Sequence, residues 1–258
     1  MHTKKPPLIL QERDLHLFRE LSVMRVFDRA QARIAGRFGS DSRTNRRLAK
    51  LTRAGFLRRF YVGRKGIGAT AFYSLTKLGA WTADVEYRSP RRGRDEVLFT
   101  DFFTEHQLAI NEIYLQLKYG LLPEGIVFKR WIAFREHLAP SVHLIPDGYA
   151  EIETPHERVA SFVEVDLGNE HLRVWQKKVQ EYLHLAISER FNELFALKRF
   201  RVIVLVNSLR RLMSLRKATA PITSKVFFFA TVEEVRRHGF FGVRWFRPTG
   251  AERQALTQ

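Results

Sequence analysis

The 258-residue chain has no cysteine, which excludes disulfides and thiolate metal sites. No apolar run approaches the ~18 residues of a membrane span. Residues 1–7 carry charge, but no signal-peptide apolar core precedes Gln11-Glu12-Arg13-Asp14. A soluble cytoplasmic protein without a membrane partner is the expectation. No internal repeat is visible. Acid is also scarce: 27 Asp and Glu face 44 Lys and Arg, a net charge of +17, and the pI is about 10.6. That excess favours a polyanionic partner, DNA or RNA before an anionic membrane. Apolar residues make up 45%, enough for a sizeable core, and the length suits two domains or one large one.

The most informative stretch runs from His143 to Tyr182. It contains Pro146-Asp147, then Glu151-Ile-Glu153, a polar turn through Thr154-Pro155-His156-Glu157, and Phe162-Val-Glu164-Val-Asp166-Leu-Gly168. Two apolar runs carrying acids and joined by breakers read as strands. Alternate strand side chains share a face, so Glu164 and Asp166 point the same way. Carboxylates on so apolar a strand are costly to bury without compensation. A hard divalent cation is the obvious candidate, Mg²⁺ or Mn²⁺.

The first third has its own pattern. Leu15, Phe18 and Leu21 have helical spacing. Asp28 with Gln31 resembles a capping box opening a second helix, with Ile34, Ala35 and Phe38 inward and Gly39 as its end. Ser40 or Asp41 caps a third helix stopped by Gly55. On that helix Thr44, Leu48 and Leu51 fall on one side, with Arg43, Arg46, Arg47, Lys50 and Arg53 roughly opposite. Three short helices suggest a helix-turn-helix, and a basic stripe suits a major groove and its phosphates. Two β-prone runs follow, around the tip Gly63-Arg64-Lys65-Gly66-Ile67-Gly68, with Arg58 on the first run. The tip lacks the Gly-Lys-Ser/Thr ending of a phosphate-binding loop. This part resembles the winged-helix family over residues 10 to 84, and Tyr73-Ser-Leu-Thr76-Lys-Leu-Gly79 resembles its wing-to-helix transition. Arg58, Arg64 and Lys65 join the helix cations as candidate contacts to double-stranded DNA. Residues 85–100 read as an exposed basic linker.

From residue 102 the expected order is a helix to Tyr119, strands over 126–134, 144–152 and 159–167, a helix over 170–186 and a strand over 201–206. A basic helix (209–217), a strand (225–230), a short helix from Thr231 and a last strand (241–246) complete it. The reading is a winged-helix domain (8–84), the linker, and an α/β domain (101–250) with a central mixed sheet. The αβββαβ order, with Pro146-Asp147 and Glu164-x-Asp166, resembles the PD-(D/E)xK restriction-endonuclease-like superfamily. That resemblance implies that Asp147, Glu164 and Asp166 bind Mg²⁺ or Mn²⁺ and that a lysine assists at the scissile phosphate. The usual lysine position holds Asp166. Lys178, at the edge of the next helix's apolar face, is one substitute. A three-acid site without lysine, or a site that has lost hydrolysis, are the others. Glu112, Glu151 and Glu153 are read first as surface residues and second as outer carboxylates.

The combination of winged helix and nuclease-like core resembles the replication-relaxation family of plasmid proteins and the MobC class of conjugative relaxases. The stretches carrying it are His106-Gln-Leu-Ala-Ile-Asn111-Glu112-Ile-Tyr114 and Phe162 to Gly168. It implies recognition of an origin-type site on plasmid or integrated-element DNA, metal-dependent nicking of one strand, and replication or conjugation proteins as partners. No His-x-His occurs, which disfavours the other large relaxase type. His106, His137, His143 and His171 are scattered and do not suggest zinc. A non-catalytic replication factor or transcriptional regulator with a degenerate nuclease-like domain is the alternative.

Overall fold

The computed structural model describes residues 8–64 and 68–256. The chain divides into two units, Met1–Asn111 and Glu112–Gln258. It is a mixed α and β protein with one sheet in each unit.

Helix starts in the first unit follow side-chain caps. Asp14 accepts from the Gln11 N–H at 2.7 Å as α1 (Glu12–Met24) opens. After β1 (Phe27–Asp28), Asp28 accepts from the Gln31 N–H at 2.8 Å to start α2 (Arg29–Ala35). Ser40 does the same for α3 (Asp41–Arg53). Each cap satisfies an orphan donor and contributes about 1 kcal/mol. Thr44, Leu48 and Leu51 are fully buried on α3, and Gly55 follows with φ +86. Two expectations for α2 change. It ends at Ala35 rather than Gly39, and Ile34 is 47% exposed while Ala35 and Phe38 are buried. In a helix of seven residues only one narrow stripe faces the core, and Ile34 falls outside it.

Strands β2 (Leu57–Arg64) and β3 (Gly68–Leu75) pair antiparallel from Leu57↔Leu75 to Arg64↔Gly68. The expected tip residue Lys65 lies outside the described residues. Thr76 caps α4 (Lys77–Thr82), accepting from the Gly79 N–H at 3.1 Å. A Cβ at Gly79 would stand 2.3 Å from the Phe56 carbonyl oxygen, so only glycine fits this close approach.

Residues 85–100, expected as an exposed linker, are tied to the first unit. Arg25 donates to the Arg88 carbonyl, Ser89 to the Leu75 carbonyl and Arg58 to the Arg92 carbonyl. Within the segment β4 (Val97–Leu98) runs parallel to β2, giving the sheet order β1-β3-β2-β4. Basic composition suggested a solvated hinge, but within the segment Arg88 pairs with Glu86 and Arg92 with Asp101.

The next helix, α5 (Phe102–Tyr119), opens on Asp101, which accepts from Thr104 and from Arg92. Its first half belongs to the first unit. Asn111 donates to the Val26 carbonyl at 2.7 Å and to Gln31 at 3.1 Å, while Gln107 donates to Asn111 at 3.0 Å. These buried amides are satisfied by one another and by backbone, which fixes one arrangement of α2 against α5.

The second unit is built on a seven-stranded sheet in the order β11-β10-β9-β8-β7-β6-β5. Its strands are β5 (Val127–Ile132), β6 (Gly148–Glu153), β7 (Arg158–Asp166), β8 (Phe200–Val206), β9 (Phe227–Thr231), β10 (Trp245–Phe246) and β11 (Arg253–Gln254). β5, β6 and β7 are antiparallel neighbours, whereas β7, β8 and β9 are parallel. The helices are α6 (Leu172–Ile187), α7 (Arg190–Phe195), α8 (Leu209–Thr219) and α9 (Val232–His238). Phe162, Val202, Val204, Phe227 and Phe229 share one core with Trp175, Val179, Tyr182, Phe191, Leu212 and Leu215. That core packs α6, α7 and α8 on one face of the sheet. Each fully buried large apolar side chain contributes about 1.5–3 kcal/mol. The indole N–H of Trp175 donates to Thr219 at 2.9 Å, tying α6 to α8.

Candidate functional site

Glu164 and Asp166 lie on the face of β7 that the core helices cover, as strand alternation requires. Both are buried, at 3% and 6% exposure. Each finds its own cation on a different helix. Lys178 of α6 donates to Glu164 at 2.9 Å, and the Tyr182 hydroxyl donates to the other Glu164 oxygen at 2.5 Å. One helical turn separates Lys178 from Tyr182, so the two reach the same carboxylate. Lys178 also meets Glu170 at 3.1 Å. Asp166 accepts from Arg211 in the first turn of α8, from Nε at 3.2 Å, and from the Gly168 N–H at 2.6 Å. Gly168 has φ +96, and Asn207 closes the turn by donating to the Leu167 carbonyl at 2.6 Å.

Asp147, just before β6, accepts from the Val165 N–H at 2.7 Å. The bonded amide lies between Glu164 and Asp166 in sequence, so Asp147 is anchored at the acidic end of β7. Burial pushes the Glu164 carboxyl above its ordinary range; Lys178 pulls it back, and Asp147 pushes it up. Burial opposes the Lys178 charge, but Glu164, Glu170 and Asp147 outweigh it and hold the ammonium above its usual range. Burial and the Glu164 charge raise the Tyr182 phenol well above 10. Asp147, Glu164 and Lys178 therefore form one electrostatic cluster, with more negative than positive charge once Glu170 is included. A carboxylate pair of this kind suits a hard divalent cation. Asp166 is turned to Arg211. Among the described residues, no three of His, Asp and Glu stand together as a ready metal cage.

The second-choice carboxylates separate. Glu151, read as a surface residue, is 2% exposed. It accepts from Tyr149 at 2.7 Å and from Arg130. It lies on the face of β6 that pairs with Ala160 of β7, toward the far end from Glu164. Glu153 is half-exposed and pairs with Lys129. Glu112 accepts from Gln116 at 2.8 Å and approaches Arg236. The rings of His137 and His143 meet edge to face at 5.3 Å.

On α3 the basic stripe is smaller than expected. Arg43, Arg46, Lys50 and Arg53 are exposed. Arg47 turns inward, donating from Nε to Asp14 at 2.8 Å and pairing with it through a second N–H. Asp14 has no exposed surface, so Arg47 is its structural counter-ion. Arg58 also has an internal acceptor, the Arg92 carbonyl. The side chain of Arg64 is not among those described.

Sequence reasoning missed Tyr182, Glu170 and Arg211. Tyr182 had a signal, its i+4 spacing from Lys178. Arg211 had none, since it joins Asp166 across 45 residues.

The profile of the replication-relaxation family matches residues 15–217, and the chain belongs to that family. No curated protein matches it. Among solved structures, that of restriction endonuclease FokI is similar at a TM-score of 0.34 and 13% identity, over 88% of this chain and 43% of that one. The chain thus spans less than half of that protein, and at this level the likeness fixes neither fold nor activity. No helix among the described residues is long and apolar enough to cross a membrane.

Proposed function

We propose that this protein binds duplex DNA at an origin-type site of a plasmid or integrated element and nicks one strand. The observation that carries the reading is the convergence of Asp147, Glu164 and Lys178 at one end of β7. The first unit, read as a winged helix, would present Arg43, Arg46, Lys50 and Arg53 to the major groove and its phosphates. Binding through these cations would fall steeply with salt, by counterion release.

In the second unit, read as a PD-(D/E)xK-type domain, Asp147 and Glu164 would hold Mg²⁺ or Mn²⁺. The bound ion would supply a Lewis acid toward a phosphate oxygen and lower the pKa of its water. Tyr182 holds Glu164 in one rotamer, so the carboxylate is positioned before DNA arrives. Lys178 keeps its charge and lies where it would neutralise the phosphate in the transition state. Asp166, in the usual lysine position, keeps Arg211 at the site as a second cation. Replication or conjugation proteins are the partners this reading implies.

Supercoiled cognate plasmid incubated with the protein and Mn²⁺ or Mg²⁺ should yield open circles, and Glu164→Ala should not. Equal nicking by Glu164→Ala would remove the assignment. A second reading, a non-catalytic DNA-binding replication factor, is favoured by the pairing of both strand acids with cations. A thermal shift with Mn²⁺ that disappears in Glu164→Ala would speak against this second reading.

A further inference from the structure

A cleft opens at the end of β7 and β8 opposite the acids. It has a volume of about 450 Å³ and lies where both strands begin. This is within the roughly 300–1,000 Å³ of small-ligand pockets. Arg158, Lys198, Arg199, Arg201 and Arg247 line it against one carboxylate, Glu157. Glu157 is already taken, by Arg199 at 2.8 Å, and Arg158 leans toward Glu151 at 3.9 Å. Lys198, Arg201 and Arg247 form no salt bridge among the described residues.

Arg201 and Arg247 are partly buried around one aromatic ring. Their guanidinium carbons lie 5.5 and 4.1 Å from the Phe228 ring centroid. Arg201 donates to the Leu256 carbonyl and Arg247 to the Ser224 carbonyl at 3.1 Å. A guanidinium carries five N–H donors, so each arginine keeps donors for a further acceptor. Burial lowers both guanidinium pKa values; Glu157 partly offsets this at Arg201, and the Arg201 charge lowers that of Arg247 further. The fold thus holds two partly buried cations together, and the cleft's one carboxylate, Glu157, is paired with Arg199. An anion between them would relieve that cost, and arginine forks match phosphate oxygens. The remaining wall is apolar, with Val159, Leu197 and Val226. This suits a ligand with a phosphate at one end and an uncharged body at the other.

We propose that this cleft binds a phosphate monoester carried on a nucleotide, with Arg201 and Arg247 as its phosphate ligands. The cleft is separate from the acids of β7. By strand alternation Arg201 projects from the opposite face to Glu164, and the two levels are about 10 Å apart along the strands. The inference therefore stands whether or not the protein nicks DNA. The phosphate has two sources, a free nucleotide or the 5′ end of a DNA strand.

Calorimetric titration of the full chain tests it, with thymidine 5′-monophosphate, thymidine, and a 5′-phosphorylated or unphosphorylated single-stranded oligonucleotide as probes. Saturable binding of the monophosphate but not of thymidine identifies a free-nucleotide site. Binding that appears only with the phosphorylated oligonucleotide identifies a strand-end site. In either case Arg201→Gln and Arg247→Gln should each weaken the phosphate-dependent binding at least tenfold. Lys198→Glu, an exposed change that leaves the core intact, should weaken it as well. Glu164→Ala should leave it unchanged. Absence of phosphate-dependent binding to both probes, or wild-type affinity in folded Arg201→Gln and Lys198→Glu, would overturn the proposal.

Discussion

Arg211, in the first turn of α8, and Asp166, at the end of β7, form an ion pair in which both side chains are largely out of water. Arg211 also donates to the Glu170 carbonyl, so it fastens the loop between β7 and α6 as well. Arg211→Ala would leave the Asp166 carboxylate buried with the Gly168 N–H as its remaining donor among those described. Breaking such a pair from one side costs about 3–5 kcal/mol. Denaturant unfolding should show a loss of that order. Adding Asp166→Asn to Arg211→Ala should recover part of it. A single-variant loss below about 1 kcal/mol would show that the loop is held by other contacts.

Tyr182→Phe keeps the ring in the core and deletes one hydrogen bond to the Glu164 carboxylate. A hydrogen bond to a charged group is worth about 1.5–3 kcal/mol, and stability should fall by that amount. Nicking should fall with it while DNA affinity stays at the wild-type level. Unchanged nicking would mean that Lys178 alone positions Glu164.

Neighbouring arginines on α3 should behave oppositely. Arg46→Ala changes an exposed cation, so it should weaken DNA binding, lower the salt slope and leave unfolding unchanged. Arg47→Ala strips the fully buried Asp14 of its counter-ion. It should cost several kcal/mol of stability, on the order of 3–5. If Arg46→Ala destabilises and Arg47→Ala does not, the assignment of the two faces fails.

Asp101 gives a signed pH dependence. Burial would raise its carboxyl, but Arg92 and Thr104 outweigh burial and hold it below the usual range. A carboxylate whose folded pKa is depressed binds its proton more readily when unfolded. Its contribution is complete above the ordinary carboxylate pKa of about 3.9 and is lost as pH falls through the folded value. Asp101→Asn should therefore destabilise the protein at neutral pH and flatten its loss of stability in acid. Parallel wild-type and variant stability curves between pH 6 and about 2 would contradict this.

The element order was legible because its signals are local. Asp28, Ser40 and Thr231 cap the helices they were expected to cap or begin, and Glu164 and Asp166 share a face because a strand alternates. The partners of those acids were less legible. Lys178 was identifiable from its place beside an apolar helical stripe, whereas Arg211 depends on where α8 lands after β8. Arg47 looked equivalent to Arg46 because helical spacing cannot show that Asp14 waits beneath it. The 85–100 segment misled through composition, since Arg88 and Arg92 are held by Glu86 and Asp101 and its carbonyls by Arg25 and Arg58. Four short elements, β1, β4, α7 and β11, carry too few residues for any period to emerge.

β7 joins β6 through a turn closed between Thr154 and Glu157, but reaches β8 only after α6 and α7 have been laid down. Local hairpins close in microseconds, whereas parallel pairing waits for a long crossover. Between the two events seven consecutive residues, Ala160 to Asp166, that end buried are open to solvent along one edge. Such an edge would be a template for pairing with other chains. Glu164 and Asp166 place charge on it until Lys178 and Arg211 arrive, and so act as gatekeepers against aggregation during folding. Replacing both by apolar residues would strip Lys178 and Arg211 of these carboxylates in the native state and raise the yield of insoluble protein on refolding.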